Sequence, residues 1–165
     1  MPAQPPTPNP AHLEAVRALC NRAPYLELLG IEMPVLELGR CRLEMDVERK
    51  HMNPFGGLCG GVFASLVDIA AYWCLYPQMP EHMGATTLDL QVNYLRAVNG
   101  GRICCEARVV KPGHSISLCQ ADILDEHGRL LANATSKMFL SPDIQHVSAA
   151  VETVDPTVVL PPKFL

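Results

Sequence analysis

Residues 41–48, CRLEMDVE, alternate without a break. Cys41, Leu43, Met45 and Val47 fall on one side, and Arg42, Glu44, Asp46 and Glu48 on the other. A period of two marks a half-buried antiparallel strand. The preceding run, GIEMPVLELG, reads as a strand at a sheet edge, because Pro34 has no N–H to give a ladder. Gly39-Arg40 forms the turn between them. Four more strand-like runs follow. In TTLDLQVNYLRAV, Leu88, Leu90, Val92 and Tyr94 alternate with Asp89, Gln91 and Asn93. In RICCEARVVK, Ile103, Cys105, Ala107 and Val109 recur at period two. SISLCQADILD leads to a turn at Glu126-His127-Gly128, and RLLANATSKMFL closes the series. Short turns of this kind suit antiparallel hairpins.

Other stretches follow the helical period. AHLEAVRALCNRA carries Leu13, Val16 and Leu19 at helical spacing and stops before Pro24, and YLELLG adds a turn before Gly30. From Gly60 to about Tyr76, Phe63, Val67, Ala70 and Cys74 share one face, with Leu66, Ile69 and Trp73 beside them. A helix apolar on nearly every side is predicted to be buried. Pro77 and Pro80 end it. The element order gives an α+β fold, one antiparallel sheet wrapped around one long buried helix. A doubly wound fold needs several more helices. The expected organisation is a disordered proline-rich arm over residues 1–10, a single domain over 11–141 and an extended tail over 142–165.

Composition excludes several classes. The 165 residues are 48% hydrophobic and 18% charged, as in a globular protein. A net charge of -4 without a basic stripe argues against a nucleic-acid partner. Ser65 and Asp68 interrupt the most apolar stretch, so no membrane span is expected. MPAQPPTPNP lacks the charged start and apolar run of a signal peptide. Seven cysteines with no CxxC spacing point away from zinc and from a disulfide framework, and toward free thiols in the cytoplasm.

One carboxylate, Asp68, stands inside the apolar helix. Burying a charge costs several kcal/mol unless it is paired, so its position calls for a function. An apolar setting raises a carboxylate's pKa and makes it a better base. Before it lies a glycine-rich loop, HMNPFGGLCGG. The first amides of a helix lack intrahelical partners and carry the positive end of its dipole. Gly60 and Gly61 let a carbonyl approach those amides, and one such donor stabilises a developing oxyanion by ~3 kcal/mol.

The run Asn53-Pro54-Phe55-Gly56-Gly57-Leu58-Cys59-Gly60-Gly61, followed by Asp68, resembles the PaaI-like acyl-CoA thioesterases of the hotdog fold, over roughly residues 43–140. The resemblance implies a hydrolase that cleaves acyl-CoA to free acid and CoA, with no metal and no cofactor beyond the CoA of the substrate. By that resemblance Asp68 activates water or attacks the thioester carbon, and the Gly60 N–H polarises the carbonyl. Asn53 supports the loop and binds the acyl carbonyl or the water, and Thr87 holds the water or the acid. Cys59, two residues before Gly61 and expected with it to line the substrate, stands where the family has His. A thiol bridges two partners poorly. Arg96, Lys111 and His114 are candidates for the CoA phosphates. The family's site forms between two subunits, with Asn53 and Gly60 from one and Asp68 and Thr87 from its partner, and such dimers pair into tetramers. Cys59 motivates an alternative, a non-catalytic acyl-CoA-binding or sensor module. An enoyl-CoA hydratase would need an Asp/His pairing that is absent from the helix. Cys59 as a nucleophile would need a base, and His51 is the nearest in sequence, read as a loop residue beside the site. Tyr72 and Trp73 read as core or interface residues, or as walls of an acyl pocket.

Overall fold

The computed structural model describes residues 7–165. Its strands are β1 (Ile31–Glu37), β2 (Arg40–Asp46), β3 (Gly84–Tyr94), β4 (Arg102–Lys111), β5 (Ile116–Asp125) and β6 (Leu130–Ser141). They form one sheet in the order β1-β2-β4-β5-β6-β3, and every neighbouring pair is antiparallel. β1 is an edge, as Pro34 requires, and its register with β2 slips between Glu32 and Val35, around the missing N–H. In β2 the alternation holds: Cys41, Leu43 and Met45 are buried, while Arg42 and Glu44 pair on the outer face at 2.6 Å.

The long helix α3 (Gly60–Leu75) packs on the sheet. Its approach is set by the sheet's own side chains. Ala107, Ala121 and Ala134 pair in register across β4, β5 and β6, a row of small buried residues at the centre of the sheet. Phe63, Leu66, Val67, Ala70 and Cys74 of α3 join Leu43, Met45, Cys105 and Ile123 in the core. Leu66 is completely buried at mid-helix. Leu66→Ala is expected to cost about 3 kcal/mol through lost transfer energy and a residual cavity. Urea unfolding would show a lower midpoint at unchanged slope.

The arrangement of elements departs from the sequence expectation in four places. First, α3 is not buried on all sides. The sheet covers one side, and Gly61 and Asp68 are exposed on the other, with Ala64, Ser65, Ile69, Tyr72 and Trp73 half-buried. Second, β3 does not alternate evenly. A bulge between Thr87 and Asp89 turns Leu88 outward, and Tyr94 is exposed as well. Third, part of the expected arm is held. Residues 1–6 lie outside the described residues, but Pro8 pairs with Phe164, and Asn9 caps α1 (Pro10–Cys20) by accepting the Ala11 N–H at 3.0 Å. Fourth, the tail contains a helix, α4 (Val147–Val154), followed by Asp155, which pairs with Arg22 at 2.8 Å. The short helix α2 (Pro24–Leu29) ends at Gly30 with φ 66, a left-handed cap suited to glycine.

Candidate active site

The loop before α3 is built around Asn53. Its side-chain oxygen accepts the N–H groups of Phe55 (2.9 Å) and Gly57 (3.2 Å), and its own N–H donates to the Gly57 carbonyl at 2.7 Å. Gly56 sits at φ 81, where other residues are strained. The Leu58 N–H donates to the Val98 carbonyl (2.7 Å), which ties the loop to the β3–β4 connection. His51 is buried rather than an open loop residue. Its Nδ1 accepts the Glu48 N–H at 2.9 Å, and its carbonyl accepts the Cys59 N–H at 2.9 Å. The loop thereby delivers Cys59 in an extended conformation (φ -64, ψ 132), and α3 starts at Gly60.

At that start the Gly60 and Gly61 N–H groups find no acceptor among the described residues; the first amide of the turn to do so is Val62, on the Cys59 carbonyl at 3.0 Å. Tyr94 was not singled out by the sequence. Its ring edge lies 3.4 Å from where a Gly60 side chain would begin, and its hydroxyl donates to the Gly60 carbonyl at 3.2 Å. Phe63 packs edge-on against it, with centroids 5.7 Å apart. A cavity of about 350 Å³ opens here, bordered by Asn53, Gly57, Gly60, Phe63, Tyr94 and Arg96. The Cys59 thiol is exposed and caps nothing. No base hydrogen-bonds it among the described residues. The other six cysteines are buried, and burial pushes the Cys20 thiol up to about 12, so they behave as small core residues. Among the described residues no group of His, Cys, Asp and Glu is arranged to hold a metal.

Asp68 lies elsewhere and is exposed, which overturns the expectation of a buried carboxylate. Its partner is Thr87, whose hydroxyl donates to Oδ1 at 2.6 Å. The β3 bulge next to Thr87 is the local reason: an extra residue re-aims the strand's side chains toward the helix. On the same side of α3, Ser65 donates to the Gly61 carbonyl at 2.9 Å and meets the Tyr25 hydroxyl of α2 at 2.8 Å. Tyr25 is a second neighbour the sequence did not reveal.

Within one chain the predicted residues thus form two groups. Asn53, Gly60 and Arg96 gather at the start of α3, and Asp68 and Thr87 lie further along it. Eight residues of helix separate Gly60 from Asp68, a rise of about 12 Å. The phosphate candidates divide as well. Arg96 follows the end of β3, where its Nε donates to the Leu130 carbonyl at 3.1 Å. Lys111 and His114 lie at the opposite end of the sheet, level with Thr87 through the Thr87–Met138–Ser117 register. The antiparallel ladder keeps these groups about 20 Å apart.

A family model described as the thioesterase superfamily matches residues 55–132. A Haemophilus influenzae protein that bears an esterase name is 31% identical over 122 residues, which span 72% of this chain and 85% of that protein. Acyl-coenzyme A thioesterase 13 of Homo sapiens is 28% identical over 124 residues, covering 72% of this chain and 86% of its own. A solved thioesterase structure from Haemophilus influenzae matches with a TM-score of 0.75 at 25% identity, over 87% of this chain and 99% of that one. The six-stranded antiparallel sheet with its packed helix matches that solved structure, and the chain belongs to the thioesterase superfamily, in the hotdog fold.

Proposed function

We propose that the protein hydrolyses acyl-CoA thioesters to free carboxylic acids and CoA. The observation that carries this reading is the 2.6 Å hydrogen bond from Thr87 to Asp68, which orients a carboxylate on a helix otherwise lined by small and apolar residues. The thioester carbonyl oxygen accepts the Gly60 N–H. Asp68 takes a proton from a water molecule, and the water oxygen attacks the carbonyl carbon. The tetrahedral intermediate collapses, the C–S bond breaks, and the CoA thiolate leaves with the proton returned from Asp68. Negative charge on the former carbonyl oxygen is greatest between these steps, where a preoriented amide helps most.

The two groups of residues meet when a second copy joins β3 to β3. β3 is an edge strand with Leu88 and Tyr94 exposed and Leu90 and Val92 half-buried, an apolar strip that an edge leaves unpaired. Asn53 and Gly60 of one protomer then face Asp68 and Thr87 of its partner, and two dimers pair into a tetramer. Arg96 of one protomer, with Lys111 and His114 from the Thr87 end of its partner's sheet, holds the CoA phosphates, while Cys59 and Gly61 border the thioester. No metal or further cofactor takes part. Among the described residues no helix is long and apolar enough to cross a membrane. The free thiols support a place in the cytoplasm.

The exposed Cys59 thiol, with no hydrogen bond where the family has His, favours one second reading, a non-catalytic acyl-CoA-binding module. A panel of short, medium, long and aromatic acyl-CoAs, followed by thiol release, separates the two. Turnover on at least one ester is the expected result. Esters that raise the melting temperature but release no thiol would establish the binding module instead.

A further inference from the structure

We propose that Tyr72 closes the acyl groove one turn beyond Asp68, and that a clasp between the two ends of the chain holds it there, restricting the site to short or compact acyl groups. The inference rests on the hydrolase reading above and adds its substrate class. Asp68 and Tyr72 are four residues apart and share the uncovered side of α3. The helix rises about 6 Å over that interval, room for roughly four methylene carbons or one phenyl ring. Toward the start of α3 the same side offers polar groups, the Ser65 and Tyr25 hydroxyls, which suit the amide-bearing arm of CoA. Toward its end it offers aromatic carbon. The acyl group therefore points at Tyr72.

Tyr72 is fixed in place. It meets Trp73 edge-on, with centroids 4.9 Å apart at 82°, and stacks with Tyr76 at 6.5 Å. Tyr76 is buried, and its hydroxyl lies 2.6 Å from His12 Nε2, while His12 Nδ1 lies 2.6 Å from the Pro161 carbonyl. A carbonyl only accepts, so Nδ1 carries the proton toward Pro161 and, in the neutral ring, Tyr76 donates to Nε2. Lys163 completes the support. Its ammonium sits 3.9 Å from the centre of the Tyr76 ring and donates to the Met79 carbonyl at 2.9 Å. The segment carrying it is pinned to the other end of the chain: Asn9 N–H donates to the Lys163 carbonyl (2.8 Å), Asn9 Nδ2 to the Pro162 carbonyl (2.8 Å), and Leu165 N–H to the Thr7 carbonyl (3.0 Å).

Lys163 is only 4% exposed and makes no ion pair among the described residues. Burial draws its ammonium down to about 8. A buried lysine without a carboxylate partner costs stability. Its contacts here go to Tyr76, the ring against which Tyr72 stacks, so the arrangement secures the groove's end.

The test compares wild type, Tyr72→Ala and Lys163→Met on straight-chain acyl-CoAs from two to sixteen carbons, with benzoyl-CoA beside them. Wild-type kcat/KM is expected to drop at least tenfold between the six- and ten-carbon esters, with benzoyl-CoA accepted. Tyr72→Ala should raise the ratio of ten-carbon to four-carbon kcat/KM about tenfold. Tyr72→Leu, which keeps apolar contact with Trp73, should shift it less and keeps the test standing if the alanine variant fails to fold. Lys163→Met acts through Tyr76 and should move the same ratio the same way, chiefly through KM of the longer esters. A merely structural role would scale all esters alike. Wild type that cleaves the sixteen-carbon ester as well as the four-carbon one, or a Tyr72→Ala profile lowered in equal proportion throughout, overturns the stop and leaves the hydrolase intact. No turnover on any ester removes the hydrolase reading and the stop with it.

Discussion

Asp68→Asn is expected to lower kcat/KM at least a thousandfold while acyl-CoA esters still raise the melting temperature. The carboxamide matches the carboxylate in shape, and its oxygen can still accept the Thr87 hydroxyl now 2.6 Å away. Asp68 is exposed, so the fold loses little; substitutions at such positions usually stay within about 0.5 kcal/mol. What the amide cannot do is take a proton from water or attack a carbonyl. General-base catalysis supplies typically 10²–10⁴ in rate, and a thousandfold corresponds to about 4 kcal/mol of transition-state stabilisation. Thiol release and thermal shift on the same samples decide the matter. A variant that keeps wild-type turnover removes Asp68 from the chemistry. A wild type and variant that are equally inert, yet equally stabilised by CoA esters, leave a binding module.

Much of the fold was legible because it depends on local pattern. Period-two runs produced β2 and β4, strand-like runs between turns produced β5 and β6, Pro34 marked β1 as an edge, and the apolar helical run produced α3 within one residue of its end. The glycine loop was legible for the same reason: Asn53, Gly56 and Gly60 act on neighbours a few residues away. What stayed hidden depends on contacts between distant residues. An apolar helix shows that it packs, not which side the sheet will cover, so the exposure of Asp68 could not be read. The bulge that exposes Leu88 is a property of the β3–β6 pairing rather than of β3. Tyr94 reaches Gly60 across 34 positions, and His12 reaches Tyr76 across 64. The burial of His51 rests partly on the Cys59 N–H that its carbonyl accepts, a contact made only once the loop has closed. The division of Arg96 from Lys111 and His114 follows from the antiparallel direction of β4, which carries the chain to the other end of the sheet.

Mixing two inactive variants is expected to restore about a quarter of wild-type turnover. The partner of Asp68→Asn in this experiment is Gly60→Pro. Gly60 is the first residue of α3, where proline is well tolerated because that N–H has no intrahelical acceptor. Cys59 already has ψ 132, the conformation that a following proline demands. Proline there deletes the one amide assigned to the oxyanion and leaves the Gly60 carbonyl to Tyr94, so the variant should fold and lose roughly 10²–10³ in kcat. The two damaged positions lie about 12 Å apart on one helix, too far to serve one thioester carbon. In a two-fold dimer each site draws its amide from one protomer and its acid from the other. A mixed dimer then carries one site with both groups intact and one with neither. Random reassociation makes half of the dimers mixed, each with half its sites active, which gives about a quarter of the wild-type rate. A site contained in one chain gives a different result: every chain in the mixture lacks either its amide or its acid, and unfolding and refolding the two together recovers nothing.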